Sequence, residues 1–118
     1  NTQTVEELVQ DVLAGQGVVV SNVTINGQPG NQVNVQVGFF NSDSSNIGID
    51  EGVILASGGV NGAIGPNDSG SNSEPGSGDM YSDPDIVQII SPFDANDVVS
   101  VEFDFIPNGD TLVFNYVF

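Results

Sequence analysis

The alternation in residues 98–118, VVSVEFDFIPNGDTLVFNYVF, constrains the fold more than any other feature of the chain. Val99, Val101, Phe103 and Phe105 alternate with Ser100, Glu102 and Asp104, the period of a strand with one covered and one wet face. Pro107, Asn108, Gly109 and Asp110 supply turn chemistry, the Asn-Gly pair being suited to positive φ. A second run follows, with Leu112, Phe114, Tyr116 and Phe118 on one face and Thr111, Val113, Asn115 and Val117 on the other. Two valines on that other face imply cover on both sides, so this second strand is expected to be central in its sheet. Four of the seven phenylalanines belong to the hairpin, and the core is expected there.

Upstream, Val5, Leu8, Val9, Val12 and Leu13 make one apolar stripe at helical spacing. Thr4 followed by Glu7 is a capping box, so residues 4–14 read as a helix ended by Gly15 or Gly17 and packed on a sheet. Residues 18–25 form a first strand with a bulge near Ser21 and Asn22, and residues 26–31 a turn. Val33, Val35, Val37 and Phe39 alternate with Asn34, Gln36 and Gly38 as a second strand. Residues 41–46 are a polar loop, and residues 52–57, entered through Ile47, Gly48 and Ile49, are a short apolar strand. Residues 58–97 are loop-like, with the near low-complexity stretch GPNDSGSNSEPGSGD inside them. A loop of that length is functional or disordered. Asp83 and Pro84 resemble a helix start, and Ile86, Val87, Ile89 and Ile90 are expected to bury and pin the loop. Five short strands predict a mainly β, antiparallel, two-layer sandwich-like fold in a single domain over residues 1–118, with the N-terminal helix on its flank.

Composition then limits the chemistry. The chain has sixteen carboxylates and no Lys, Arg or His, for a formal charge of −16. Nucleic acid is excluded as a partner, since phosphate contacts need cations, and an anionic membrane surface is disfavoured for the same reason. No stretch reaches the length of a membrane span, and no leader is visible, so any such segment is expected to have been removed or to lie outside this sequence. Internal salt bridges cannot form, so salt, divalent ions or a basic partner must screen the repulsion. Without His, Cys or Lys there is no Ser-His-Asp triad, cysteine nucleophile, Schiff base or zinc site. Carboxylate, hydroxyl and amide groups remain, which suit hard cations and recognition of glycans or protein surfaces.

Residues 45–71, SNIGIDEGVILASGGVNGAIGPNDSGS, resemble the choice-of-anchor L domain, as do Asp83-Pro84-Asp85-Ile86, the closing VEFDFIPNGDTLVFNYVF and the opening VEELVQDVLAGQGVVVSNVT. The resemblance runs over nearly the whole chain, its most specific part being the order of these blocks. It implies export and display on a bacterial surface, mainly in Bacteroidota and other Gram-negative bacteria, without an activity. In that family the last strand runs on into an acidic segment and further strands. A chain stopping at Phe118 is therefore expected to be a processed or incomplete copy, or to have its sheet completed by a neighbour's strand.

The densest ligand cluster is Asp79, Asp83 and Asp85, on a Gly-rich loop entering a helix, where three carboxylates suit Ca²⁺. Asp50 and Asp68 are candidate additions. The alternative is that Asp83 caps the helix, Asp85 complements its dipole and Asp79 is solvated. Glu102 and Asp104 are expected on the solvated face of their strand. Two carboxylates can also serve glycoside hydrolysis, but no pair is marked as convergent and there is no Trp. Three functions follow: a secreted, non-catalytic structural or adhesive module stabilised by calcium; a subunit of a self-assembling extracellular filament; and, least, a carbohydrate-active fragment. The partners expected are copies of the chain, other surface proteins or glycans.

Overall fold

A computed structural model describes residues 2–43, 45–66, 69–71 and 81–118, and its frame is set by the N-terminal helix. Helix α1, Val5–Glu7, continues without a break into a π-helical segment, Leu8–Ala14. The capping box predicted from spacing is present: the Glu7 N–H donates to Thr4 Oγ1 at 3.2 Å, and the Thr4 N–H donates to Glu7 Oε2 at 2.8 Å. Gly15, at φ 69°, ends the helix. Because π winding, with i→i+5 bonds, turns less per residue than α winding, the apolar stripe drifts along its length. Val5, Leu8 and Val9 are buried, Val12 is half-buried and Leu13 is exposed.

The helix packs against parts of two small antiparallel sheets. In the first, β1 (Val19–Ile25) lies between β2 (Gln28–Pro29) and β5 (Val101–Ile106). The register of β1 on β5 shifts between Ser21 and Thr24, so the expected bulge is there, with Asn22 at φ 53°. Asn22 Nδ2 donates to Asp104 Oδ2 at 2.6 Å across the bulge. Asn26 and Gly27, at φ 50° and 71°, make the tight turn from β1 into β2. The second sheet pairs β3 (Val37–Asn41) with β4 (Glu51–Leu55) in an unbroken register. Val5, Leu8, Val9, Val23, Ile25 and Val37 form the core, with Val53, Val101 and Phe103 packed on it. The fold is thus mainly β, built of small antiparallel sheets and short helices.

Gly30 is demanded by this packing. Its N–H donates to the Val23 carbonyl at 2.8 Å, and a Cβ there would lie 2.9 Å from that same carbonyl oxygen. The carbonyls of Gly30 and Gln32 in turn accept the N–H groups of Glu6 and Val5, two donors that a helix start leaves without intrahelical partners.

Three expectations are corrected. The run at 112–118 is not a buried central strand. Residues 111–118 are unpaired, and their apolar side chains, Leu112, Val113, Phe114, Tyr116, Val117 and Phe118, are all 51% to 113% exposed. After Ile106, which pairs with Val19, the chain carries on beside the residues preceding β1, where a Cβ on Gly17 would come within 3.3 Å of Asn108 Nδ2. Residues 111–118 take part in no described strand, and the core forms around α1 instead.

The second correction concerns residues 33–36. Val33 and Val35 are exposed, whereas Gln36, assigned to the polar face, is 1% exposed. Asn34 Oδ1 accepts the Gln36 N–H at 2.8 Å, a local turn that delays the strand until Val37 and swings Gln36 inward. Third, the island at 86–90 buries none of its four aliphatic side chains fully. Ile86, Val87 and Ile90 are half-buried and Ile89 is 82% exposed. A helix of two turns rests only one flank on the body.

Gln36 and Asn26 join the two sheets. The Asn26 N–H donates to the Ser100 carbonyl at 2.8 Å, and the Ser100 N–H donates to Asn26 Oδ1 at 2.9 Å. Asn26 Nδ2 donates to Gln36 Oε1 at 2.9 Å, and Gln36 Nε2 donates to the Ser57 carbonyl, just past β4, at 2.9 Å. Replacing Asn26 by Ala leaves the Ser100 N–H and Gln36 Oε1 without these partners and puts a Cβ residue without a local hydrogen bond at positive φ. Urea unfolding should show a loss of about 2–4 kcal/mol. Asn26→Gly, which relieves the backbone but not the lost bonds, should recover roughly 1 kcal/mol of it. Equal stability of Asn26→Ala and the parent chain would refute the role of the clasp.

Candidate functional site

Asp83 is the one carboxylate among the described residues that is buried. It precedes α2 (Pro84–Ile90), whose first helical position is the Pro84 that the sequence predicted. Its Oδ1 accepts the N–H groups of Asp85 at 2.9 Å and Ile86 at 3.3 Å, and its Oδ2 accepts the Tyr81 hydroxyl at 3.3 Å. Both oxygens are therefore engaged by protein donors, the geometry of a cap. Tyr81 is tied to the body through its carbonyl, which accepts the Val98 N–H at 3.2 Å, and its ring would meet a Cβ on Gly27 at 3.8 Å. The end of the long loop is thus fastened beside the turn between β1 and β2.

The other described candidates, Asp85 and Asp50, do not join Asp83 in a metal-holding group. Asp85 is exposed in the first turn of α2, where its charge favours the helix dipole. Asp50 is exposed on the approach to β4, and its carbonyl accepts the Ser42 N–H at 2.7 Å. Asp68 and Asp79 lie outside the described residues. Among the described residues, no group of three or more carboxylates is close enough together to hold a metal ion. Glu102 and Asp104 face solvent on β5, as their alternation predicted.

A concavity that the sequence gave no reason to expect lies along α1. It is an open groove of about 400 Å³ whose lining includes Glu6, Glu7, Gln10, Asp11, Val20 and Asn31. The acidic side of the helix was legible from its sequence, but the opposing wall comes from β1 and the following loop, which no local pattern pairs with it. Gln10 shapes the groove floor: its Nε2 donates to the Val18 carbonyl at 2.9 Å and its Oε1 accepts the Val20 N–H at 3.1 Å, occupying the edge of β1 as a partner strand would. The groove offers carboxylates and amides, so it is chemically suited to cationic or hydroxyl-rich groups.

Partial burial pushes the Tyr81 phenol above its ordinary range near 10, and the Asp83 carboxylate beside it, with Glu102 and Asp85, adds to the rise. Such a group contributes stability that is whole below the unfolded value and is lost as pH climbs from there through the folded one. Absorbance titration of the Tyr116→Phe variant should place Tyr81 above free tyrosine, and adding Asp83→Ala should lower it. Asp83→Ala should also cost about 1 kcal/mol, whereas Asp83→Asn, which keeps an accepting oxygen, should cost only a few tenths. An unmoved Tyr81 midpoint would separate the two side chains.

The family model of the choice-of-anchor L domain matches residues 1–118. No curated protein and no solved structure matches the chain. No described helix is long and apolar enough to cross a membrane. The blocks that suggested the resemblance, the helix start, the segment entering β4, the Asp83 cap and the run through β5, lie along the whole length of that match. The chain belongs to the choice-of-anchor L domain family, a domain of secreted and cell-surface proteins.

Proposed function

We propose that this domain is a non-catalytic structural or adhesive module displayed outside a bacterial cell, and that cations of the medium, calcium foremost, stabilise it. The family match over residues 1–118 carries the first half of this reading. The second half is supported by the charge of −16 without a single side-chain cation and by the exposure of every described carboxylate but Asp83. Carboxylates spread over a surface repel one another, and ions that bind or screen them favour the folded state. Calcium needs several oxygens at once. Asp79 and Asp68, with Asp85 and Asp50, are the carboxylates proposed to supply them, while Asp83 serves as the cap.

A second reading, a filament subunit whose neighbours complete each other's sheets, is favoured by the bare apolar run at 111–118. Protease shaving of intact producing cells tests display: release of the domain supports it, and full protection until lysis contradicts it. Thermal melting tests the ions. The melting temperature should rise by several degrees between about 10 mM and 500 mM NaCl, as the screening length contracts from roughly 30 Å to a few ångströms. At fixed ionic strength, about 1 mM Ca²⁺ should add a further rise that chelator abolishes, each kcal/mol corresponding to about 4–8 °C. A melting temperature indifferent to chelator at fixed ionic strength would remove calcium from the account.

A further inference from the structure

We infer that Asn26 is a modification site gated by the fold. Its side-chain amide is lost to attack by the Gly27 nitrogen when the domain opens, and the product no longer closes the clasp between the sheets. Asn-Gly pairs occur three times in the chain, at Asn26-Gly27, Asn61-Gly62 and Asn108-Gly109. Glycine has no side chain to obstruct its own nitrogen. In such a pair the Gly N–H gives up its proton and the nitrogen bonds to the Asn Cγ. The Cγ–Nδ2 bond breaks, ammonia leaves with a proton from water, and a five-membered succinimide closes. Water then opens the ring at either carbonyl, leaving aspartate or isoaspartate. One water is consumed and one ammonia released, so the step needs no oxidant, reductant or other co-reactant.

In the folded chain that route is closed at Asn26. Its side chain is held at both ends: Nδ2 donates to Gln36 Oε1 and Oδ1 accepts the Ser100 N–H, each at 2.9 Å. Swinging Cγ toward the Gly27 nitrogen would break both bonds. The backbone is held as well, with the Asn26 N–H donating to the Ser100 carbonyl at 2.8 Å and φ of 50° and 71° through the turn. Asn26 is 8% exposed, which keeps out the water that opens the ring. Asn61 and Asn108 are exposed. Burial therefore singles out Asn26 as the pair whose reaction reports on opening.

The product does not fit the place it would return to. Aspartate at position 26 has no N–H for Gln36 Oε1, so two accepting oxygens would face each other where a bond stood. Gln36 cannot turn its amide over without withdrawing Nε2 from the Ser57 carbonyl, which it meets at 2.9 Å. The new carboxylate would be buried in a chain with no side-chain cation to meet it. Isoaspartate adds one atom to the main chain, inside the two-residue turn that sets Ile25 opposite Gln28. Opening that began as reversible thereby becomes irreversible. The inference rests on the clasp and is independent of where the domain is displayed.

Peptide mapping by mass spectrometry tests it on the 118-residue chain, incubated in mildly alkaline buffer across a urea series. The rate of conversion at Asn26 should follow the unfolded fraction read by circular dichroism in the same samples. Without urea it should be roughly 10³-fold or more slower than above the unfolding transition. Gly27→Ala, measured in urea where folding plays no part, should slow conversion severalfold, because a Cβ obstructs the nitrogen. Asn26→Asp, made directly, should unfold at lower urea than the parent chain. Conversion without urea that comes within a few-fold of the rate in urea overturns the gate. Absence of conversion in urea, or a rate there that ignores Gly27→Ala, overturns the route. Asn26→Asp as stable as the parent overturns the consequence.

Discussion

In a protein with no cation, every buried or half-buried polar junction must be made by groups that donate hydrogen bonds without carrying positive charge. Amide side chains do this throughout the structure. Asn26 and Gln36 link the two sheets, Gln10 closes the edge of β1 against the helix, and Asn22 supplies the donor to Asp104 across the bulge. A primary amide both donates and accepts, so one side chain can bridge a carbonyl and an N–H that an ion pair could not satisfy together. It also avoids much of the desolvation cost of placing two charges inside. No described buried side-chain nitrogen or oxygen lacks a hydrogen-bond partner, the condition under which such networks stabilise rather than strain a small core.

The same constraint explains how the molecule divides its surface from its interior. Among the described residues, carboxylates are kept outside except for Asp83, which accepts backbone N–H groups at a helix start and the Tyr81 hydroxyl. The described exterior is therefore anionic along the helix and the outer face of β5. The family is one of secreted and cell-surface proteins. The uncharged run at 111–118 interrupts that exterior, and it is where apolar area remains uncovered.

What the sequence revealed follows the range of the interactions concerned. Thr4 and Glu7, Asp83 and Pro84, the bulge at Asn22 and the outward Glu102 and Asp104 were legible because each depends on residues within a few positions, or on a simple alternation. The position of the core was not. Period 2 in residues 112–118 shows that the run suits a strand, yet says nothing of whether a neighbour lies beside it. Gln36 misled in the opposite sense. Its polarity placed it outside, whereas Asn26 and Ser57, respectively ten and twenty-one positions away, make its burial favourable. Asp79, Asp83 and Asp85 were grouped by proximity along the chain, and in space Asp83 is taken up by capping, while Asp50, a candidate addition, stands by β4. The groove along α1 needed the tertiary placement of Val20 and Asn31 before it existed at all.

Amide clasps around Asn26, and not the aromatic run at 111–118, hold the sheets together. Amide hydrogen exchange on dilute protein reads both parts at once. The N–H groups of Asn26 and Ser100, bonded across β1 and β5, should exchange only through global unfolding, while those of residues 111–118 should exchange at nearly the rate of an unstructured peptide. Fast exchange at Ser100 together with strong protection at Phe114 and Tyr116 would contradict it.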